Sequence, residues 1–363
     1  MLLVGAVLLS PCGSAGTTGM SRAAPKIGFI LVGHNDDLGY NQAVYEGSVA
    51  VARAFPDNEV LREYGVSETL GAVDAMERPI RRGARVIFAT SFGHRDAAAE
   101  VARRHPDVVV LHQGGVKVGS SPQNFGTYWG TMYEPVYQAG IAAGAATRTN
   151  KLGFVAAFPI PATYNNINAF TLGARSVKPD VTTTAVFTSN WCDPAKQAEA
   201  ARQLIAGGAD VLAQHQDCTR TILQAADTAG IKAVGYHYDA SEVAPHAWLL
   251  GAVWNWGDLY VDMARHALNG TFRTSPYDGN FRGGLKTGNN PFVLTEYGPG
   301  IAQPTGDAVE AAGRRFAAGG TPFDGPLGDR DGGLRVPPGV SPDRAQIDSM
   351  NYFVPGVVGT PPA

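Results

Sequence analysis

From residue 26 the chain alternates between short apolar runs and longer amphipathic segments. The first runs are KIGFILVG (26–33), EVLREYGV (59–66), ARVIFATS (84–91) and DVVVLHQG (107–114). A helix-like stretch covers 130–148. Then come KLGFVAAF (151–158), VTTTAVFTSN (181–190), ADVLAQHQ (209–216), KAVGYHY (232–238) and AWLLGAVW (247–254). Between them, AAAEVARRHP and PAKQAEAARQLIAGG carry apolar residues at helical spacing. The GG at 207–208 and the AG at 229–230 read as helix ends before the next strand.

Strands that are apolar on both faces and alternate with helices predict parallel sheets covered on both sides. Four such units, a long helix and further units predict an α/β protein of two doubly wound lobes. The first lobe is expected to take residues 25–148 plus about 252–285, and the second 149–251 plus about 286–330. After residue 271 Gly and Pro rise and strand patterns weaken. One helix is expected near GDAVEAAGRRFAAGG, with 331–363 as a tail packing on the lobes.

Composition narrows the function. The 363 residues carry a net charge of −3 without a basic stripe, which argues against a nucleic-acid partner. Hydrophobic content of 44% and charged content of 17% fit a globular chain with a real core. No apolar run reaches the ~18 residues of a membrane span. Residues 1–24, MLLVGAVLLSPCGSAGTTGMSRAA, read as an export signal, with Cys12 placed as the lipidated cysteine of a bacterial lipoprotein and Pro11 standing where a small residue is usual. Cys192 and Cys218 remain, too far from any paired cysteines for a zinc site.

In open parallel sheets, ligands bind beyond the carboxyl ends of the strands. Those positions here hold Asn35, Asp36, Asp37, Tyr40 and Asn41, then Phe92 and His94, then Asn190, Trp191 and Asp193, then Gln216 and Asp217, then Tyr238, Asp239 and Ser241, and last Trp254, Asn255, Trp256 and Asp258. The set is rich in acids, amides and rings and poor in bases. It suits an uncharged planar heterocycle such as a nucleobase, with rings on its faces and carboxylates on its N–H groups. A quaternary amine would also suit rings and carboxylates.

The stretches DDLGYNQAVYEG, FPIPATYNNINAFTLGARSVKPD, NWCDPAKQAEAARQLIAGGADVLAQHQD, VGYHYDAS and FDGPLGDRDG resemble, in this order, the basic membrane lipoprotein family of ABC importer substrate-binding proteins. The resemblance covers roughly residues 26–355. It implies the type I periplasmic-binding-protein fold, a purine base or nucleoside in the inter-lobe cleft, an ABC permease as partner, a monomer held to the membrane by lipid only, and no cofactor. The branch with Trp and DP after the sixth strand is most similar to adenine binders. Carried over by position, Asp37, Tyr40, Asn41, Trp191 and Asp239 are expected at the ligand; the strand-end positions add Phe92, His94 and Asp217 beside them. Where nucleoside-binding members have a Lys, this chain has Trp254 or Asn255, which favours a free base.

If the sixth and seventh strands are neighbours, about 4.8 Å apart, Cys192 and Cys218 come within disulfide reach. Two other functions use the same residues. A ligand sensor would have an identical fold. A nucleoside hydrolase would act through Asp36 and Asp37; against it, no nucleophile elbow, P-loop or HExxH pattern occurs.

Overall fold

A computed structural model describes residues 23–362; Cys12 lies outside them. The chain begins β1 (Lys26–Ile30), α1 (Tyr40–Ala54), β2 (Val60–Glu63), α2 (Ala72–Arg81), β3 (Ala84–Ala89), α3 (Arg95–Arg104), β4 (Val109–Gln113) and β5 (Phe125–Gly130). Helix α4 (Tyr133–Ala146) leads to β6 (Lys151–Ala156), α5 (Pro161–Val177), β7 (Thr182–Phe187), α6 (Pro194–Ala206), β8 (Val211–His215), α7 (Arg220–Thr228), β9 (Lys232–His237) and β10 (Trp248–Trp254). The rest is α8 (Gly257–Leu268), β11 (Asn280–Gly283), β12 (Phe292–Leu294), α9 (Gln303–Ala317), β13 (Leu327–Gly328), β14 (Leu334–Val336), α10 (Arg344–Asp348) and β15 (Val357–Val358).

Two large sheets result, in the orders β11-β5-β4-β3-β1-β2 and β12-β10-β9-β8-β6-β7-β15, and β13 and β14 form a small antiparallel pair. Within the large sheets neighbouring strands are parallel except β10 and β12, which run antiparallel. The inner strands are buried on both faces because helices cover both. Ile30, Met76, Ile87 and Val101 fill the outer side of the first sheet, and Val155, Leu204, Leu212 and Leu223 that of the second. A single larger core joins the inner faces of both sheets through α4, α5 and α8.

The chain passes between the sheets three times, at 131–150, at 255–256 and at 284–291. Helix α8 returns to pack on α1, and Gly47 permits the close approach: a Cβ there would lie 2.7 Å from the Tyr260 ring and 2.8 Å from Trp256.

Three features differ from expectation. FGTYWG forms strand β5, which the apolar pattern does not reveal because its large buried side chains are only Phe125 on one face and Tyr128 on the other, among Gly and Thr. The strands preceding Cys192 and Cys218, β7 and β8, are not neighbours; each pairs with β6 instead. The Gly- and Pro-rich C-terminal part is not merely an outer layer. It gives β11 to one sheet, and β12 and β15 to the other. Among the described residues no helix is long and apolar enough to cross a membrane.

Candidate functional site

The turn after β1 is built by its own side chains. The Asp37 carboxylate accepts from the backbone N–H groups of Gly39 (2.9 Å), Asn41 (2.9 Å) and Gln42 (3.0 Å), the donors left open at the start of α1. Asn41 donates Nδ2 to Asp37 at 2.8 Å and accepts from Gly33 N–H at 2.9 Å. Both side chains are consumed by the turn, and neither borders the cavity.

What the turn presents is backbone. Leu38, at φ 49°, offers its carbonyl to the Thr219 hydroxyl, and Tyr40 N–H donates to the Asp217 carbonyl at 3.1 Å. Thus the first turn of α1, from the first sheet's side, docks on the β8–α7 loop of the second. Gly39 makes this possible, since a Cβ there would lie 1.7 Å from the Asp217 oxygen.

On the second side, the loop after β7 crosses the carboxyl end of β6 and reaches the loop after β8. Asp217 N–H donates to the Trp191 carbonyl at 2.8 Å, and Gln216 Nε2 to Thr188 Oγ1 at 2.9 Å. Cys192 and Cys218 are disulfide-bonded there, with Cα atoms 5.1 Å apart. The crossing loop, not strand adjacency, brings the cysteines together. Trp191 is braced edge-on by Phe158 at 5.1 Å and lies 5.8 Å from the His215 ring.

A cavity of about 270 Å³ lies between these loops. Tyr40, Phe92, Trp191 and Asp217 border it, as do Glu68, Trp129, His215, His237, Arg282 and Arg344, which the sequence pattern did not single out. The other expected residues lie elsewhere, each for a physical reason. His94 is fully buried, its Nε2 3.1 Å from the Val66 carbonyl. Asp239 is exposed and closes a local turn onto Ser241 N–H at 3.1 Å. Asn255 is exposed on the chain crossing. Trp254 is core, packed 4.6 Å from Trp129 and stacked 4.2 Å from Trp256. The Trp254–Trp256–Tyr260 stack backs Trp129 rather than facing the cavity.

Trp254 nevertheless acts on the site through His237. Its indole N–H donates to His237 Nδ1 at 2.9 Å. An indole nitrogen only donates, so His237 carries its proton on Nε2. That Nε2 stands 3.9 Å from Asp217 Oδ1, too far for a direct hydrogen bond. His237 ends β9 at φ 66°, a conformation uncommon outside glycine. Burial holds it neutral, with the neighbouring His215 adding to the effect. His215 is itself held down to about 3 by burial.

Burial, with the charges of Asp37 and Glu68 adding to it, pushes the Asp217 carboxyl well above the usual range. Asp217 and His237 therefore form a polar floor at which the His237 Nε2–H can donate and the Asp217 carboxyl can accept. Glu68 is already engaged by Ser91 Oγ at 2.6 Å and Gly93 N–H at 2.9 Å. Tyr40 is held upright by Gln113, whose Oε1 also accepts from Tyr128 and Tyr260. Among the described residues no group of three or more His, Cys, Asp or Glu side chains is placed to hold a metal.

Two parallel α/β halves with a ring-walled cavity between their strand ends define a substrate-binding protein of the periplasmic type. The chain belongs to the PnrA-like (Bmp) family of ABC transporter substrate-binding proteins, whose sequence model matches residues 24–290. A purine-binding protein of Brucella abortus is 33% identical over 92% of each chain. A protein named as an ABC transporter glucose-binding protein of Haloferax volcanii is 32% identical over 92% of this chain and 81% of its own. Among solved structures, an ABC transporter solute-binding protein from Aeropyrum pernix superposes with a TM-score of 0.70 at 17% identity, covering 81% of this chain and 92% of that one. The family's members work outside the cytoplasm with a small-molecule ligand and an ABC transporter as partner.

Proposed function

We propose that this protein captures a purine base or nucleoside outside the cytoplasm and delivers it to an ABC permease. One observation carries the reading. Flat side chains from both sides of the cleft, Phe92 and Trp129 from one and Trp191 from the other, border a single cavity whose floor, Asp217 and His237, is polar. Rings on both faces of a planar ligand contribute roughly 1–3 kcal/mol per stacked base. A carboxyl and an imidazole N–H supply an acceptor and a donor for the mixed groups that a purine edge presents. The cavity's size, near the lower end of the ~300–1,000 Å³ usual for ligand sites, favours a small molecule.

In this reading the halves, 25–148 with about 252–285 and 149–251 with about 286–330, close as units about the three crossings. The latch at Gly39 and Asp217 belongs to the closed form that a permease recognises. The protein works as a monomer without a catalytic step, and Cys12 is its anchor. Adenine is the base favoured by the sequence pattern.

A thermal-shift series with purine bases, nucleosides and glucose tests this. A ligand at about 100 times its dissociation constant adds roughly 2.7 kcal/mol to the unfolding free energy. Stabilisation by glucose and by no purine would replace the reading with a sugar-binding one.

A further inference from the structure

Two arginines close the C-terminal side of the cavity. Arg282, on β11, is the register partner of Trp129 on β5, and both border the cavity. Its Nη2 donates to the Gly115 carbonyl at 2.7 Å and its Nη1 to the Phe281 carbonyl at 2.9 Å. A guanidinium has five N–H donors, so three remain. Asp348, the carboxylate whose charge reaches Arg282, is already held by Arg344 Nε at 2.9 Å. Among the described residues Arg282 has no ion-pair partner. Burial, with the Arg344 charge adding to it, lowers Arg282 to about 10. A cation kept in such a place without a carboxylate is costly unless something else accepts from it.

We infer that this end of the cavity is an acceptor subsite, in which Arg282, with Arg344 at the mouth, receives the carbonyl oxygens or negative charge of an oxopurine of the xanthine and urate class in preference to adenine. The inference rests on the purine reading and sharpens it. A planar guanidinium fork matches two adjacent acceptors on one edge of a flat ring, and a hydrogen bond to a charged group is stronger than a neutral one. Adenine has no carbonyl oxygen to offer such a wall, and its 6-amino group, where it met the wall, would set donor against donor, which is penalised in a buried site. The base-poor set read from the strand ends omits both arginines, because they come from the C-terminal part of the chain. Arg282 lies within the residues 24–290 matched by the family model, and Arg344 and Asp348 lie beyond them.

Calorimetric titration of adenine, xanthine and urate into the wild type and Arg282→Gln tests it. The wild type is expected to bind the oxopurines at least tenfold more tightly than adenine. The variant is expected to lose at least tenfold for the oxopurines and less than threefold for adenine. Equal losses for all three bases would mark Arg282 as purely structural and overturn the inference, as would a wild type that prefers adenine. A wild type that binds none of the three overturns the purine reading and the inference together. If the variant does not fold, the wild-type ranking decides alone.

Discussion

The indole N–H of Trp254 donates to Nδ1 of His237 at 2.9 Å and so fixes which nitrogen of that histidine carries the proton at the cavity. His237→Asn retains a residue type that accepts a positive φ and removes the Nε2 donor. Purine affinity is expected to fall about tenfold, the ~1.4 kcal/mol of one well-placed hydrogen bond. Trp254→Phe frees the tautomer without deleting the ring and is expected to cost less. An unchanged dissociation constant in His237→Asn would remove this histidine from the site.

Gly39 is required for space: a Cβ there would lie 1.7 Å from the Asp217 carbonyl oxygen. Gly39→Ala should leave each half folded and keep the halves apart. The expected result is at least tenfold weaker ligand binding, with a radius of gyration by X-ray scattering that ligand no longer reduces. Normal compaction on adding ligand would argue against the latch.

Trp191 stands on the loop that crosses β6 and is only partly buried, so truncation should spare the core. Trp191→Ala is predicted to weaken binding by roughly 1–3 kcal/mol while moving the unfolding midpoint little. Equal affinity of variant and wild type would place the stacking elsewhere.

The Cys192–Cys218 bridge closes a loop with a sequence separation of 26. Constraint of the unfolded chain by such a loop is worth about 3 kcal/mol. Reduction, or the double change Cys192→Ser with Cys218→Ser, is expected to lower the denaturant midpoint accordingly and to weaken ligand binding, because the bridge adjoins both Trp191 and Asp217. Identical unfolding curves with and without reductant would contradict this.

His112 gives the fold a pH dependence. Gly115 N–H donates to its Nδ1 at 3.2 Å, and its Nε2–H donates to the Ser91 carbonyl at 2.8 Å, so only the neutral ring fits. Burial holds it down to about 3, whereas an unfolded histidine titrates near 6.5. Below that value the unfolded chain takes up a proton that the folded one refuses. Stability is therefore full above about pH 6.5 and falls as pH drops toward 3, by up to ~1.4 kcal/mol per unit. His112→Gln should flatten the slope of unfolding free energy against pH by about that amount between roughly pH 6 and 4. An unaltered slope would mean that this ring does not carry the effect.

The sequence by itself determined the alternation of strands and helices. Inner parallel strands are covered on both faces and therefore read as apolar runs, as β1, β3 and β8 do. It also placed Tyr40, Phe92, Trp191 and Asp217 at strand ends, where a cleft lies in folds of this kind. It could not tell that Asp37, Asn41 and Asp239 would be taken by backbone N–H groups a few residues away, because short polar side chains compete for local partners as readily as for a ligand. Only the tertiary structure decided the rest. Sheet register sets Arg282 beside Trp129, and the return of the chain after residue 331 carries Arg344 to the cavity mouth. A loop crossing β6 joins two cysteines whose strands never touch. These are relations between segments far apart in the chain, fixed by how sheets and helices pack, and periodicity records only what each segment buries on its own account.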